Sequence, residues 1–348
     1  MSAAGEEAEL ARLLALIPRW IASQIPAGRT AVLEEIVVDL GRPPRVRFHD
    51  GAGQLDLDGE VGLEDLQYVL GRVTRFRDDN RTGIERTLHR IACIRDRYHE
   101  IVGFTFRPGR TVPGAAKPIG DLLGSGRSVL VIGRPGVGKT TLLRSAADLL
   151  SGELGRRTVI ADTSNEIGGD GQIPHPAIGR ARRLQIPLAD GARPGAMEDL
   201  QARVLLQAVV NHGAEAIVVD EIGFEAEARI VRTVARRGVQ LVATAHGRRL
   251  RDVVFNPDLA CLVGSPRPVV LTAEEAARRG DARHTALERT EPPTFESAVE
   301  VPRRDLLIVH PDVASSVDLI LAGLTPQVEL RGPEGSGTPA AEPHDSVV

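Results

Sequence analysis

Lysine, cysteine and aromatic residues are scarce in this chain of 348 residues. Aromatic side chains make up 3% of the chain and the formal net charge is -4, which argues against a broad basic surface on which nucleic-acid bases stack. Two lysines occur, Lys117 and Lys139, although lysine and arginine together number 43. The two cysteines lie in separate apolar runs without metal-ligand spacing, so we expect buried, reduced thiols.

Long hydrophobic runs are also lacking. No apolar stretch approaches the roughly 20 residues that cross a bilayer. The acidic N-terminus, MSAAGEEAEL, lacks the basic and apolar regions of a secretory signal. We therefore expect a cytoplasmic protein without a membrane span. Hydrophobic residues nevertheless make up 42% of the chain, which suffices for a core of ordinary size, and the length favours two domains.

Three regions differ in their pattern. Residues 1–111 mix helical spacing with strand-like runs and predict a smaller α+β domain. Residues 112–312 alternate short β-branched runs with helical patterns, which predicts an α/β domain with a parallel sheet and flanking helices. Its predicted strands are 128–133, 158–162, 216–220, 239–245 and 268–272, and we expect 284–301 to add strands at a sheet edge. Residues 313–348 predict a C-terminal helix and, from Thr325 onward, a disordered tail.

A phosphate-binding loop is the most specific motif. GRPGVGKT fits G-x-x-x-x-G-K-[ST], follows a predicted strand and opens a predicted helix, as this motif requires. Backbone N–H groups and the helix N-terminus cradle phosphates, Lys139 reaches them as a point charge, and Thr140 can ligate Mg²⁺. The predicted ATP-binding residues are Gly133, Arg134, Pro135, Gly136, Val137, Gly138, Lys139, Thr140 and Thr141.

Two further strands are predicted to end on polar residues at the edge where ligands bind. In AIVVDEIG the predicted strand ends at two acids, Asp220 and Glu221. Asp220 can hold Mg²⁺ through water, and Glu221 can polarise an attacking water. LVATAHG ends near Thr244 and His246, which we interpret as residues that sense the γ-phosphate. The alternative is a pair of strands that end on ordinary solvated or structural residues.

The segment DTSNEIGGDGQIPHPAIGRARR (162–183) follows another predicted strand. Its acids, Asp162 and Glu166, emerge at the same edge, and its glycines and prolines allow and then stiffen a long excursion. Arg180 and Arg183 follow, and arginine can approach a transferring phosphoryl group from a neighbouring subunit. The alternative is an excursion whose acids and arginines pair only with each other.

Together these motifs, with DDNRTGIERTLHRI and PPTF, resemble RecA-like ATPases related to the type II and type IV secretion and pilus motors. The resemblance is closer to ATPases similar to stage III sporulation protein AA and to a plastid and cyanobacterial ATPase with an Arg-xxx-His nucleic-acid module. It covers roughly residues 30–312. It implies a RecA-like (ASCE) P-loop NTPase fold, Mg²⁺-dependent ATP hydrolysis and a hexameric ring. DTSNE matches the acidic box of those motors, and we expect the strand before it to neighbour the P-loop strand.

The resemblance leaves two roles open. Secretion motors usually place the catalytic glutamate in the acidic box, whereas this chain has a complete Asp220–Glu221 pair, so Glu166 and Glu221 compete as the general base. Some ring-forming relatives use arginines of the N-terminal domain instead of the excursion. The competing arginines for a role in trans are therefore Arg95, Arg97, Arg107 and those of Arg180–Arg183.

What hydrolysis drives is also open. The resemblance implies movement or remodelling of a protein partner. An ATPase that acts on single-stranded DNA or RNA is an alternative, supported by the arginine-rich stretch from Arg72 to Arg110 and weakened by the acidic net charge. RDRYH (95–99) fits Arg-xxx-His literally but lies far from the C-terminus, where the family carries that module. A third possibility is a slow, nucleotide-gated assembly factor.

Overall fold

The computed structural model describes residues 3–49, 53–77, 79–185, 196–272, 274 and 285–332. They divide into two units. The first contains the described residues up to Pro113 together with Gly168–Ala177, and the second contains the other described residues. Within these ranges no helix is both long enough and apolar enough to cross a membrane.

The first unit is an antiparallel sheet with helices on one face. Its strands are β1 (Leu33–Asp39), β2 (Arg45–Phe48), β3 (Gln54–Asp56), β4 (Arg81–Gly83), β5 (Arg90–Arg95) and β6 (Ile101–Arg107), in the order β3-β2-β1-β6-β5-β4. Its helices are α1 (Ala3–Leu14), α2 (Arg19–Ala22) and α3 (Leu63–Leu70). Buried side chains such as Ile36 and Phe104 form its core with Leu13 and Leu66, because alternate residues of each strand point to the same face.

The second unit contains an eight-stranded mixed sheet. Its strands are β7 (Val129–Ile132), β8 (Thr158–Asp162), β9 (Arg182–Gln185), β10 (Ala216–Ile222), β11 (Gln240–Ala245), β14 (Ser297–Arg303), β15 (Leu306–His310) and β16 (Glu329–Arg331), in the order β16-β15-β14-β7-β11-β10-β8-β9. The six strands from β14 to β9 are parallel, and β15 and β16 are antiparallel additions. A separate antiparallel pair consists of β12 (Pro266–Val270) and β13 (Thr285–Arg289).

Helices cover both faces of this sheet. They are α4 (Gly120–Gly124), α5 (Lys139–Ser151), α6 (Ala196–Val210), α7 (Glu225–Ala235), α8 (Leu250–Val254) and α9 (Val313–Leu321). In β7, Val129 and Val131 pack with α4 and α5, whereas Leu130 and Ile132 pack with α6 to α9. Strands covered on both faces read as continuous apolar runs, which is why the sequence predicts them well. The α/β P-loop fold predicted from the sequence is confirmed.

The neighbour of the P-loop strand differs from the prediction. The strand 158–162 was expected beside the P-loop strand, but β11 and β10 separate β8 from β7. A parallel crossover passes over the sheet and permits a strand to be skipped, so order along the chain does not determine order in the sheet. The strand that pairs with β7 on this side is β11, which contains Thr244 and ends just before His246.

Three further predictions differ from the structure. The predicted strand 268–272 belongs to the separate β12–β13 pair. The residues expected to add an edge supply β14, which lies inside the sheet between β15 and β7. Its first five residues, SAVEV, are all buried. The predicted disordered tail contains β16, where Arg331 bonds Asp121 (2.6 and 3.0 Å) and the carbonyl of Pro118 (2.8 Å). Residues 333–348 of that tail lie outside the described residues.

The cysteines behave largely as expected. Cys93 is buried in the first unit and Cys261 is half-buried in the second, and both are free thiols. Burial raises the pKa of both thiols, so both stay in the protonated form that suits a small apolar side chain.

Candidate nucleotide site

The carboxyl ends of four parallel strands coincide at one edge of the large sheet. Ile132 of β7 pairs with Ala245 of β11, and Val219 of β10 pairs with Ala243 of β11 and with Ala161 of β8. Because neighbouring strands lie about 4.8 Å apart, the residues that follow these pairs become neighbours. The fold therefore brings the P-loop, Asp162, Asp220 and Thr244 to the same edge.

The P-loop joins β7 to the N-terminus of α5. Gly138 precedes α5 with a left-handed φ of +109° and supplies no side-chain cap. The first N–H groups of α5 are thus not capped by the residue before it, an arrangement suited to an anion. Gly133 is held closely, since a Cβ there would lie 2.8 Å from the carbonyl oxygen of Val301. Thr140 and Thr141 lie in the first turn, half-buried, and Arg134–Gly136 are exposed.

Lys139 lies between this loop and a group of carboxylates. Its Nζ donates to the carbonyl oxygens of Gly133 (2.6 Å) and Arg134 (3.2 Å). Burial lowers the pKa of Lys139, and the charges of Glu221, Asp220 and Glu166 oppose that shift. The ammonium therefore interacts electrostatically with all three carboxylates predicted to act in catalysis or metal binding.

Asp220 is the most perturbed of these carboxylates. Burial, aided by the charges of Asp162, Glu166 and Glu221, raises its pKa to about 7, although a hydrogen bond from Ser164 Oγ opposes the shift. Asp162 and Asp220 follow a paired register position on β8 and β10, which explains why their charges interact. Such a crowded set of acids favours a bound cation or proton. Thr244 Oγ1 donates to the backbone carbonyl of Asp220 at 2.5 Å, so its hydroxyl fixes the end of β10.

Glu221 and His246 form the outer part of the edge. Their side chains are 43% and 58% exposed, and His246 Nε2 lies 3.2 Å from Glu221 Oε1. The fold thus joins two residues that were predicted separately. An exposed carboxylate beside an imidazole can orient water or contact a ligand.

The backbone after His246 is firmly held. Arg248 and Arg249 donate their N–H groups to Asp252 Oδ2 (2.7 and 3.1 Å), and Leu250 donates to Glu300 Oε1 (2.7 Å). Glu300 is buried, and His310 Nε2 lies 3.1 Å from the same oxygen. The sequence analysis assigned no role to this buried Glu300–His310 pair, because the residues lie on strands whose pairing was not foreseen.

The acidic arm, defined as Asp162–Ile167, leaves β8 and enters the excursion. The N–H of Ile167 donates to Asp162 Oδ1 at 3.2 Å. Arg144 of α5 donates from Nε to the carbonyl of Ile167 (2.7 Å) and from Nη2 to the carbonyl of Glu166 (2.6 Å). The sequence analysis also missed Arg144. The one sign of it in the sequence is an arginine inside the apolar pattern TLLRSAA.

The excursion then passes through the first unit. In that unit, the buried His175 has Nε2 2.9 Å from Glu9 Oε1, and its Nδ1 accepts from the N–H of Ala177 at 3.0 Å. Ile173 donates its N–H to Glu85 Oε1 at 3.0 Å. Residues 168–177 are therefore an ordered part of the first unit.

The predicted trans arginines lie on and just before β9, the strand next to β8. Arg183 pairs with Ile160 in the β9–β8 register, and Arg180 lies three residues earlier. At about 3.3 Å per residue, both precede the carboxyl edge of the sheet. Arg180 is exposed, and its backbone N–H donates to Ser151 Oγ at 3.1 Å.

The competing arginines of the first unit are partly engaged there. Arg107 pairs with Glu35 at 2.8 Å, and Arg95 donates to Asn80 Oδ1 (2.8 Å) and to the carbonyl of His99 (2.7 Å). The two ends of RDRYH thus bond each other across a tight turn. Arg97, in the same turn, is exposed.

The donor set fits Mg²⁺ shared with phosphates. Within the described ranges, no group of three or more His, Cys, Asp or Glu side chains is arranged to hold a metal alone. Mg²⁺ in phosphate-transfer sites is held by one or two protein oxygens together with phosphate oxygens. The Thr140 hydroxyl and the buried carboxyl of Asp220 are oxygen donors of that kind.

Comparison with known proteins agrees with the motifs. No protein-family model matches the chain. It is 46% identical over 330 residues to the ycf45 protein of Porphyra purpurea, which covers 94% of this chain and 56% of that protein. It is 34% identical over 330 residues to ycf45 of Cyanidium caldarium, with 94% of this chain and 95% of that protein covered. The chain belongs to the ycf45 family.

Two other relatives extend the family. SEEDLING PLASTID DEVELOPMENT 1 of Arabidopsis thaliana is 48% identical over 299 residues, which cover 86% of this chain and 42% of that protein. The chain thus spans about half the length of the Porphyra and Arabidopsis relatives. Stage III sporulation protein AA of Bacillus subtilis is 26% identical over 275 residues, covering 72% and 85% of the two chains. The distant similarity to that protein is confirmed, and the Arg-xxx-His module is not shown.

Solved structures share the general arrangement at low identity. The Legionella pneumophila ATPase DotB matches with a TM-score of 0.47 and 15% identity, covering 80% of this chain and 76% of that one. The pilus retraction motor PilT with bound ADP also has a TM-score of 0.47 and 15% identity, covering 76% and 81%. These scores are modest, and the strand order and P-loop geometry described above carry the fold assignment.

Proposed function

We propose that this chain binds ATP with Mg²⁺ and hydrolyses it. One observation carries the proposal: the ammonium of Lys139 bonds the P-loop carbonyls of Gly133 and Arg134, and the charges of Glu221, Asp220 and Glu166 act on it. A cation flanked by a glycine-rich loop, a helix N-terminus and clustered carboxylates is the arrangement that phosphoryl transfer requires.

Each residue has a distinct role in this proposal. The backbone of Gly133–Gly138 and Lys139 binds the phosphates, and Thr140 with Asp220 would hold Mg²⁺. When bound, the metal ion neutralises charge on the phosphate oxygens. Glu221 orients the attacking water, because its partly exposed carboxylate lies near the carboxyl end of β10 and its Oε1 lies 3.2 Å from His246 Nε2.

Three other residues support these roles. Glu166 lies on the acidic arm and contributes charge to the site. Thr244 fixes the carbonyl of Asp220, and we propose that Thr244 and His246 report the state of the γ-phosphate. We also propose that Arg180 or Arg183 completes the site of a neighbouring subunit, because arginine can stabilise a transferring phosphoryl group in trans.

We further propose a hexameric ring that couples hydrolysis to the movement or remodelling of a protein partner. An oligomer that forms only with ATP supports this part of the proposal. Light scattering of the Glu221→Gln variant with ATP and Mg²⁺ measures the mass of the oligomer. A monomer under those conditions would contradict the ring without affecting the assignment of ATP hydrolysis.

The two lysines of the chain provide a matched test of hydrolysis. Lys139→Ala should abolish phosphate release, and Lys117→Ala, which removes the other, exposed lysine, should leave it unchanged. Turnover that survives in Lys139→Ala would refute the assignment. In parallel, Glu221→Gln should lower kcat by about 1,000-fold, within the usual range for acid–base groups. Glu166→Gln should lower it by only about 10-fold, below the range of roughly 100- to 10,000-fold for such groups. The reverse order would make Glu166 the base.

A further inference from the structure

Arg144 is a buried cation on the P-loop helix. Its side chain belongs to the inner face of α5, and the residue is 6% exposed. Burying an unpaired guanidinium is costly, so its partners decide whether it is tolerated. It points to the acidic arm, where it donates to the carbonyls of Ile167 (2.7 Å) and Glu166 (2.6 Å).

The surroundings of Arg144 are acidic. Burial lowers its pKa to about 10, and Asp162, Asp220 and Glu166 oppose that shift, so the guanidinium stays charged at neutral pH. It therefore supplies positive charge to Asp220 and Glu166, two of the three carboxylates that act on Lys139. Unlike Lys139, it reaches them from inside the sheet–helix layer, out of reach of solvent and of phosphate.

The two hydrogen bonds of Arg144 are also geometrically specific. They go to successive carbonyls of the acidic arm, and the planar guanidinium offers N–H groups in a fixed fork. The next bond along the arm, from the N–H of Ile167 to Asp162 Oδ1, closes the turn that carries Glu166. An ammonium in place of the guanidinium keeps the charge but loses this fork.

We infer that Arg144 is a positioning residue, which holds the backbone of Glu166 and Ile167 against the P-loop helix and sets the acidic arm for catalysis. This inference rests on the proposed ATP hydrolysis. Its effect is on the acidic arm rather than on the loop that binds phosphate. Loss of Arg144 should therefore reduce turnover and spare nucleotide affinity.

The test compares Arg144→Gln, Arg144→Lys and the control Arg156→Gln in the full chain. Arg156 is a half-buried arginine that also donates to a backbone carbonyl, that of Gly124 at 3.3 Å. We expect kcat to fall about 100-fold in Arg144→Gln and about 10-fold in Arg144→Lys, since a misplacement of about 1 Å in an active site can cost 100-fold. The Kd of a fluorescent ADP analogue should change less than about threefold, because P-loop contacts are kept. Arg156→Gln should match the wild type.

Hydrogen exchange gives a readout that does not depend on hydrolysis. Amides of residues 163–167 should lose protection in both Arg144 variants, while amides of β7 and β10 keep theirs. If the wild type hydrolyses no ATP, the proposed function fails, and exchange still tests Arg144. If Arg144→Gln does not fold, Arg144→Lys decides. Wild-type kcat and wild-type protection in Arg144→Lys, or a loss of nucleotide affinity equal to the loss of kcat, would overturn the inference.

Discussion

His89 should make the first unit sensitive to acid. The residue is 4% exposed, and its Nδ1 accepts a hydrogen bond from the N–H of Gly109 at 3.0 Å. Burial lowers its pKa from 6.5 to about 4, aided by the charges of Arg12, His175 and Arg110 and opposed by the backbone of Glu9. The unfolded chain therefore binds a proton more readily than the folded one.

The sign and size of the effect follow from that difference. Because the folded pKa is depressed, the stability is fully present above pH 6.5 and is lost as the pH falls towards 4. Linkage between a pKa of 6.5 in the unfolded chain and about 4 in the folded chain amounts to a loss of about 2 kcal/mol between pH 7 and pH 5. That is a substantial part of the stability of an ordinary domain.

His89→Asn isolates this contribution. Asparagine places an acceptor oxygen where Nδ1 lies and does not titrate. Urea unfolding at pH 7 and pH 5, followed by a signal of the first unit, should show the variant losing about 2 kcal/mol less than the wild type over that interval. The smaller side chain leaves a gap that lowers the stability of the variant at every pH, so the test compares only the change in stability between pH 7 and pH 5. The control is His49→Asn at an exposed histidine, and equal slopes in wild type and His89→Asn would refute the reasoning.

Two further predictions concern buried and basic groups. Glu300→Ala should lower the free energy of unfolding of the second unit by about 3 kcal/mol, because the N–H of Leu250 and the ring of His310 lose a shared acceptor. Glu300→Gln keeps an oxygen and should lower it less. Equal losses of stability for the two variants in urea titrations would contradict this prediction. Single-stranded oligouridylate should leave ATP turnover unchanged at low salt, because Arg77, Arg95 and Arg107 are engaged by their own chain. Stimulation that disappears with added salt would instead support the nucleic-acid alternative.

The sequence predicts the interior of the second unit well because burial leaves a simple pattern. β8 coincides with the predicted strand 158–162, and β7 differs from its prediction by one residue at each end. Both strands are buried throughout, and apart from Thr158 and Asp162 at the ends of β8 their residues are apolar. The polar residues at the ends of β10 and β11 were also predictable from the sequence. Asp220 and Thr244 were expected at one edge, and the register of β10 and β11 places them side by side.

Pairing over long distances could not be inferred in the same way. SAVEV in β14 and PVV in β12 are similar apolar runs, yet β14 lies in the large sheet and β12 does not. Arg144 escaped notice for a related reason, because a single sequence does not distinguish a buried arginine from one at the surface of a helix. The role of Arg144 is recognised from its hydrogen bonds to two backbone carbonyls of the acidic arm. The fold brings those carbonyls to the arginine, and the sequence does not show this.

The position of β14 has a consequence for biosynthesis. β14 forms one side of β7, and Ser297 pairs with Val129. At about 5–20 residues per second, a ribosome needs on the order of ten seconds to make the chain between these two positions. During that time the strand that leads into the P-loop has an apolar edge without its partner, and such edges invite pairing with other chains. A chain truncated before Ser297 would leave this edge of β7 unpaired, so we expect it to aggregate.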